Sequence, residues 1–395
     1  MIVGGDKAEN RTAQILTIVV FNAITYFLIG LPLAVFPGLV HLKLGYGAAL
    51  AGGVISLQYV ATLLTRSPVG RFSDTRGAKV IVLGGLVCAS LNGVCILAAG
   101  LFHAPLLVLG WLLLSRLFLG AAESGTGTGC ITWGIARVGG GATAEVISWN
   151  GVASYGGIAA GAPAGVLLMQ WGGLPALAAV AIILPLLGLA GAALSKAAPP
   201  LIGAKRMSML SVARKIVPYG CALAGGSFGF GVIVAFMALY YVAHGWQGAA
   251  YALTCFGVCF VAVRIFFAGA IGRFGGFRVA SVSFIVEVAG LVLLWLAPVP
   301  LVALLGAALA GVGFSLVFPA LAVEALRPVA VGSRGAAIAI YTVFLDVALG
   351  LTGPVAGGIA GHFGYPSVFF AGAVIVSGAL ALTSRLHKVA LARDI

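Results

Sequence analysis

"GRFSDTRGAKV", residues 70–80, places Arg71, Asp74, Arg76 and Lys79 within eleven positions of a chain in which only 8% of residues are charged. The sequence on either side is apolar for about twenty residues, the length an α-helix needs to cross the hydrocarbon of a bilayer. The stretch therefore reads as a short aqueous link between two spanning helices. The same reading extends outward in both directions.

Of the 395 residues, 62% are hydrophobic. A soluble domain of ordinary composition carries about 25% charged residues, and this chain has too few to cover a water-facing surface. Its long apolar runs exclude a β-barrel, whose strands are short and alternate in polarity. The opening "MIVGGDKAENRTAQ" is polar, and the run that follows, residues 15–40, is too long for the apolar core of a cleavable signal, so it reads as a first span. The six cysteines lie in apolar segments with no His or carboxylate beside them and read as small core residues, Cys255 and Cys259 included. No metal and no cofactor are expected. "SGTGTGC" at 124 lacks the Lys-Ser/Thr ending of a phosphate loop. His41, His103, His244, His362 and His387 are scattered at span ends, which argues against an integral membrane enzyme built on a clustered site.

The pattern predicts an all-α polytopic membrane protein of twelve spans, at residues 15–40, 47–69, 79–101, 104–134, 145–170, 174–195, 217–243, 248–271, 277–297, 299–326, 334–362 and 366–384. A basic, Pro-containing stretch at 196–216, with Lys196, Lys205, Arg206, Arg214 and Lys215, separates a six-span half at 1–195 from another at 217–395. The net charge of +13 falls in alternate links and the tails, while the other links offer only Lys43. That alternation marks orientation in a membrane, not affinity for nucleic acid, and puts both termini and the linker in the cytoplasm.

The halves echo each other. "GRF" at 70 returns in "GRFGGFRV" at 272, each time after the second span of a half. Gly157, Gly161 and Gly165 form a four-spaced ladder around Pro163, and Gly353, Gly357 and Gly361 form another beside Pro354. Small residues at that spacing let helix backbones approach closely in lipid. Internal repeats of this kind are frequent in secondary transporters.

Charges within spans are costly and mark function by default. Arg116 and Glu123 stand seven residues apart in span 4, two turns along one helix face. Asp346 lies in span 11, Glu287 in span 9 and Arg264 in span 8, where Arg264 could pair with one of the acids. Arg66 and Glu324 are near enough to span ends to reach water. Burial favours a neutral carboxyl and a nearby cation favours the ion, so an acid held between the two can exchange a proton. Glu123, Asp346 and Glu287 are thus candidate proton carriers, with static charge pairing as the alternative. Arg116 is a candidate for tuning or substrate binding. Tyr26 in span 1, Phe228, Phe236 and Tyr240 in span 7, and Phe314 in span 10 suggest an aromatic wall suited to a small amphipathic molecule.

These residues resemble the major facilitator superfamily over essentially the whole chain. Gly70, Arg71, Asp74, Arg76, Gly77 and Lys79 look like its signature between helices 2 and 3. Arg116 and Gly120 in "RLFLGAAESG" resemble the helix 4 signature of proton-coupled members, with Leu119 where Gln is usual. "GGIAAGAPAGV" resembles the helix 5 signature of antiporters, and Gly30 and Pro37 resemble the drug-proton antiporter group. The resemblance is nearest to bacterial sugar-efflux and drug-efflux permeases. It implies two pseudo-symmetric six-helix bundles, a cavity lined by helices 1, 4, 7 and 10, and alternating access. It also implies a monomeric proton-coupled exporter of small molecules in the inner membrane. An uptake permease or uniporter on the same scaffold is the alternative. In this reading the charged link is a gate, with Asp74 capping or pairing with a neighbouring helix end and the second link, lacking the acid, latching less firmly.

Overall fold

In the computed structural model, residues 3–139, 142–198, 208–267, 269–329 and 334–392 are described; the side chains of residues 3–10, 48, 67, 71, 74, 75, 143, 144, 209, 334–336 and 339 are not. The membrane helices of the first half are α1 (Val3–Leu33), α2 (Ala48–Arg76), α3 (Ala78–Leu101), α4 (Pro105–Val138) and a long element, Thr143–Leu194. That element divides where Gly172 and Gly173 leave helical geometry. Gly173 adopts φ +63°, which a side chain would resist. The parts are α5 (143–171) and α6 (174–194). The second half holds α7 (Met209–Ala243), α8 (Ala249–Phe266), α9 (Gly276–Leu296), α10 (Pro300–Leu326), α11 (Arg334–Phe363) and α12 (Pro366–Leu391). The apolar helices are long enough to span a bilayer, giving an all-α polytopic membrane fold.

The repeat in the sequence has a backbone cause. Gly77 and Gly275 precede α3 and α9 with nearly the same conformation, φ/ψ 90°/150° and 83°/151°. Only glycine takes that geometry readily. The turning glycine follows the first "GRF" by five residues and the second directly.

The described chain divides into two compact units. One comprises residues 1–35 and 57–202, the other residues 36–56 and 203–395. Residues 36–56, which include the first turns of α2, group with the second unit.

In the first unit α1 packs on α5, and α3 packs on both α4 and α6. The Gly157, Gly161 and Gly165 ladder is the α1 contact surface. A Cβ at Gly157 would stand 2.8 Å from the Ala23 carbonyl, Gly161 abuts the Phe27 carbonyl, and Gly165 abuts that of Leu31. At the far end of α6, Lys79 Nζ donates to the carbonyls of Ala193 and Ser195, both at 2.7 Å. Trp133 and Arg137 both donate to the carbonyl of Lys196. Cations suit the negative end of a helix, so Lys79 of the charged link closes a helix terminus. Arg76 is exposed and lies over the Phe72 ring at 5.3 Å. The side chains of Arg71 and Asp74, to which the gate expectation gave a role, lie outside the described residues.

In the second unit α9 packs on α10 and α12, α7 on α11 and α12, and α8 on α10. Gly353 and Gly357 abut Gly52, Ser56 and Ala49 of the early α2 turns, and the Gly353 amide donates to Ser56 Oγ at 2.9 Å. Gly361, third in that ladder, faces open space. "GRFGGFRV" receives its acid from elsewhere in the fold. Glu324, expected to reach water, is 3% exposed and accepts from the Gly276 amide at 2.9 Å at the start of α9, while pairing with Arg327 at 2.9 Å. A carboxylate at a helix N-terminus is favourable.

Gly161→Val should strike the Phe27 carbonyl and lower stability by about 1–3 kcal/mol, the usual cost of overpacking. Gly156→Ala, at a position with open space around it, should leave the thermal midpoint of the detergent-solubilised protein unchanged or slightly raised. Equal midpoints for the two variants would refute the close contact of α1 with α5.

Candidate functional site

Apolar spans with no water inside must supply every partner for a buried polar group. In the first unit α1, α2 and α4 do so around Glu123, which is 3% exposed. Tyr26 of α1 donates its phenol to Oε1 at 3.0 Å. Gln58 and Thr62, one turn apart on α2, donate to Oε2 at 2.8 and 3.1 Å. The other end of the Gln58 amide accepts from Arg116 Nη1 at 3.2 Å. Arg116 is fully buried. Gln58 thus bridges the cation and anion whose spacing in the sequence suggested a pair.

Gly120 makes this geometry possible. A Cβ there would collide with the Gln58 carbonyl and lie 2.7 Å from the Ala61 Cβ and 2.9 Å from the Thr62 amide. The absence of a side chain brings α2 against α4, within reach of Glu123. The polar band continues along α1: Thr126 donates to Thr25 at 3.0 Å, and Asn22 donates to Ser154 Oγ at 2.9 Å.

The cage suits a carboxyl group in either protonation state. An ionised carboxylate only accepts, and here three donors face it. A proton on Oε1 would turn toward Tyr26, whose oxygen can accept while its hydrogen turns away. Oε2 would go on accepting from Gln58 and Thr62. Thr62 Oγ1 also lies 3.0 Å from the Gln58 carbonyl and 3.1 Å from that of Gly120, so its hydrogen has other acceptors. Rotation of these two hydroxyls lets Tyr26 and Thr62 accommodate an added proton.

The other candidates fall in the second unit. Asp346 is fully buried on α11, and Glu287 is 1% exposed on α9. The aromatic residues are built into its packing. Phe314 stacks on Phe230 at 5.3 Å, and Phe230 on Phe256 at 5.1 Å. Phe236 is fully buried, its ring against Gly52. The Tyr240 hydroxyl donates to the Leu294 carbonyl at 2.8 Å, and its ring meets His244, Trp246 and Phe369. Phe228 lines an apolar groove of about 450 Å³ between α7, α11 and α12. Arg264 donates to the Ser315 carbonyl at 3.1 Å, where α10 is interrupted at Leu316, and lies 5.0 Å from the Phe260 ring. Ser315 Oγ in turn donates to the Phe260 carbonyl at 2.7 Å.

Sequence reasoning missed Gln58 and Thr62 because both are neutral. Their signal was present: two hydrogen-bonding side chains one turn apart in an apolar span, in a chain with a buried acid to satisfy.

The sequence model of the Major Facilitator Superfamily matches residues 18–322. An uncharacterised MFS-type transporter of Burkholderia mallei is 51% identical over 389 residues, covering 97% of this chain and 94% of its own. One of Pseudomonas aeruginosa is 49% identical, covering 96% and 94%. Among solved structures, the human organic anion transporter MFSD10 superposes with a TM-score of 0.71 at 16% identity, over 94% of this chain and 99% of that one. The nucleoside transporter NupG gives 0.71 at 13% identity, over the same shares. The chain belongs to the Major Facilitator Superfamily, and its function is that of a membrane transporter.

Gln58→Leu should cost about 1–3 kcal/mol by leaving buried hydrogen-bonding groups unmet. Combined with Glu123→Gln, the two effects should depart from additivity by about 0.5–3 kcal/mol, as for groups in one network. Thermal unfolding of the two single variants and the double variant measures this. Strict additivity would contradict the bridge.

Proposed function

We propose that this chain is a proton-coupled exporter of small amphipathic or polar molecules, exchanging protons for its solute by alternating access. The observation that carries this reading is the Glu123 cage: a buried carboxyl on α4 bonded from α1 and α2 by groups that can serve either protonation state. A carboxyl group meant only to hold helices together has no need of a hydroxyl donor, Thr62, with spare acceptors. Arg116, held to the same cage through Gln58, tunes the acid or meets an anionic group of the solute. Asp346 is the second candidate carrier. The aromatic residues Tyr26, Phe228, Phe236, Tyr240 and Phe314 are candidate contacts for the apolar part of the solute. The chain acts as a monomer in the inner membrane with both termini in the cytoplasm, as its alternating basic links support.

Purified protein in proteoliposomes, loaded with a mixture of metabolites and lipophilic dyes, tests the reading. An imposed pH gradient should drive at least one solute against its concentration gradient, as followed by mass spectrometry. Collapsing the gradient with a protonophore should abolish that movement. Movement that is unchanged by the protonophore would instead identify a uniporter. Movement in the same direction as the protons would identify an uptake permease.

A further inference from the structure

Glu287 stands midway along α9 and is 1% exposed. Neither of its carboxylate oxygens has a hydrogen-bond partner among the described residues. The carboxyl occupies a notch in α7 formed by two glycines. A Cβ at Gly229 would stand 2.5 Å from Oε1, and one at Gly226 would stand 3.3 Å from Oε2. Phe284, Leu291, Phe314 and Val376 border the same notch. All of these elements belong to the second unit.

An ionised carboxylate here would be without a hydrogen-bond donor or a paired cation among the described residues. Such a burial costs many kcal/mol, and a group in that position neutralises instead. Titratable and charged groups on the elements packed against α9 lie toward its two ends. At its start are Glu324 of α10, bonded to the Gly276 amide, His387 of α12, stacked on Phe277, and the exposed Arg273 and Arg278. Gly276 lies about 16 Å of helix from Glu287. At the other end Tyr240 of α7 bonds to the Leu294 carbonyl, about 10 Å of helix away. Phe284, Leu291, Phe314 and Val376 are hydrocarbon, so they offer no oxygen to a metal ion and no charge to a solute. The ligand they suit is a proton.

We infer that Glu287 is a second proton-binding site, one that keeps its carboxyl neutral at physiological pH while α7 and α9 are packed. It is separate from the Glu123 cage and does not rest on the coupling role proposed there. The two sites differ in kind. Glu123 is surrounded by groups that accommodate both states, whereas the Glu287 notch accommodates only one. Its proton leaves when water reaches the carboxyl, which requires the glycine face of α7 to part from α9.

Infrared spectra of the full-length protein in lipid at neutral pH test this directly. The carbonyl stretch of a protonated carboxyl should be present in the wild type and in Glu123→Gln, and one such band should be lost in Glu287→Gln. If Gln at this position prevents folding, Glu287→Met, similar in length and apolar, takes its place. Wild-type and variant spectra that coincide in the carboxyl region would overturn the inference. Thermal unfolding gives an independent reading. A folded protein holding a proton that the unfolded chain releases loses stability as pH rises, by about tenfold in the folding equilibrium per pH unit. The wild-type midpoint should therefore fall relative to either variant as pH is raised through neutrality. A pH-independent difference, or a wild type that gains on the variant, would also overturn it.

Discussion

A carboxylate removed from water must be given back its hydrogen bonds, and in the first unit this requirement fixes where three helices stand. Glu123 on α4 needs Tyr26 from α1 and Gln58 and Thr62 from α2. Those donors reach it only because Gly120 lets α2 lie against α4, while Gly157, Gly161 and Gly165 let α5 lie against α1. Helix association in lipid has little hydrophobic drive, so close packing and interhelical hydrogen bonds carry the load. Here the glycines provide the approach and the acid provides the reason for it.

The second unit answers the same constraint differently. Its buried cation, Arg264, bonds to the carbonyl left at the interruption of α10, and Ser315 bonds back to α8. Its acids are separated: Glu324 closes the start of α9, Asp346 is buried on α11, and Glu287 rests in a glycine notch. Stacked rings of Phe230, Phe256 and Phe314 join α7, α8 and α10. The halves share backbone devices, seen in the matching glycines at 77 and 275, but differ in their polar chemistry.

Much of this could be read from the sequence, and what was missed has physical causes. The all-α membrane fold and the family were legible because long apolar runs and φ-demanding glycines leave strong, local marks. Arg116 and Glu123 were legible as charges where charge is expensive. Gln58 was not, because a neutral amide in a span carries no such signal until the helix opposite is known. Lys79 was legible as part of a charged link, but its partner at the end of α6, more than a hundred residues away in sequence, was not. The aromatic residues of α7 suggested a wall to a cavity, while several of them pack inside the second unit. Periodicity places a side chain on a helix face but does not say what that face meets.

The claim at the centre is that the Glu123 cage couples proton movement to transport. Glu123→Gln keeps the shape of the side chain and removes its titration, so it separates the two functions. With the solute identified in proteoliposomes, the variant should lose transport driven by a pH gradient. It should keep solute-for-solute exchange at equal pH, at a rate near that of the wild type. Full gradient-driven transport by Glu123→Gln would contradict the account, and loss of both activities in a correctly folded variant would make the cage a binding site instead of a coupling site.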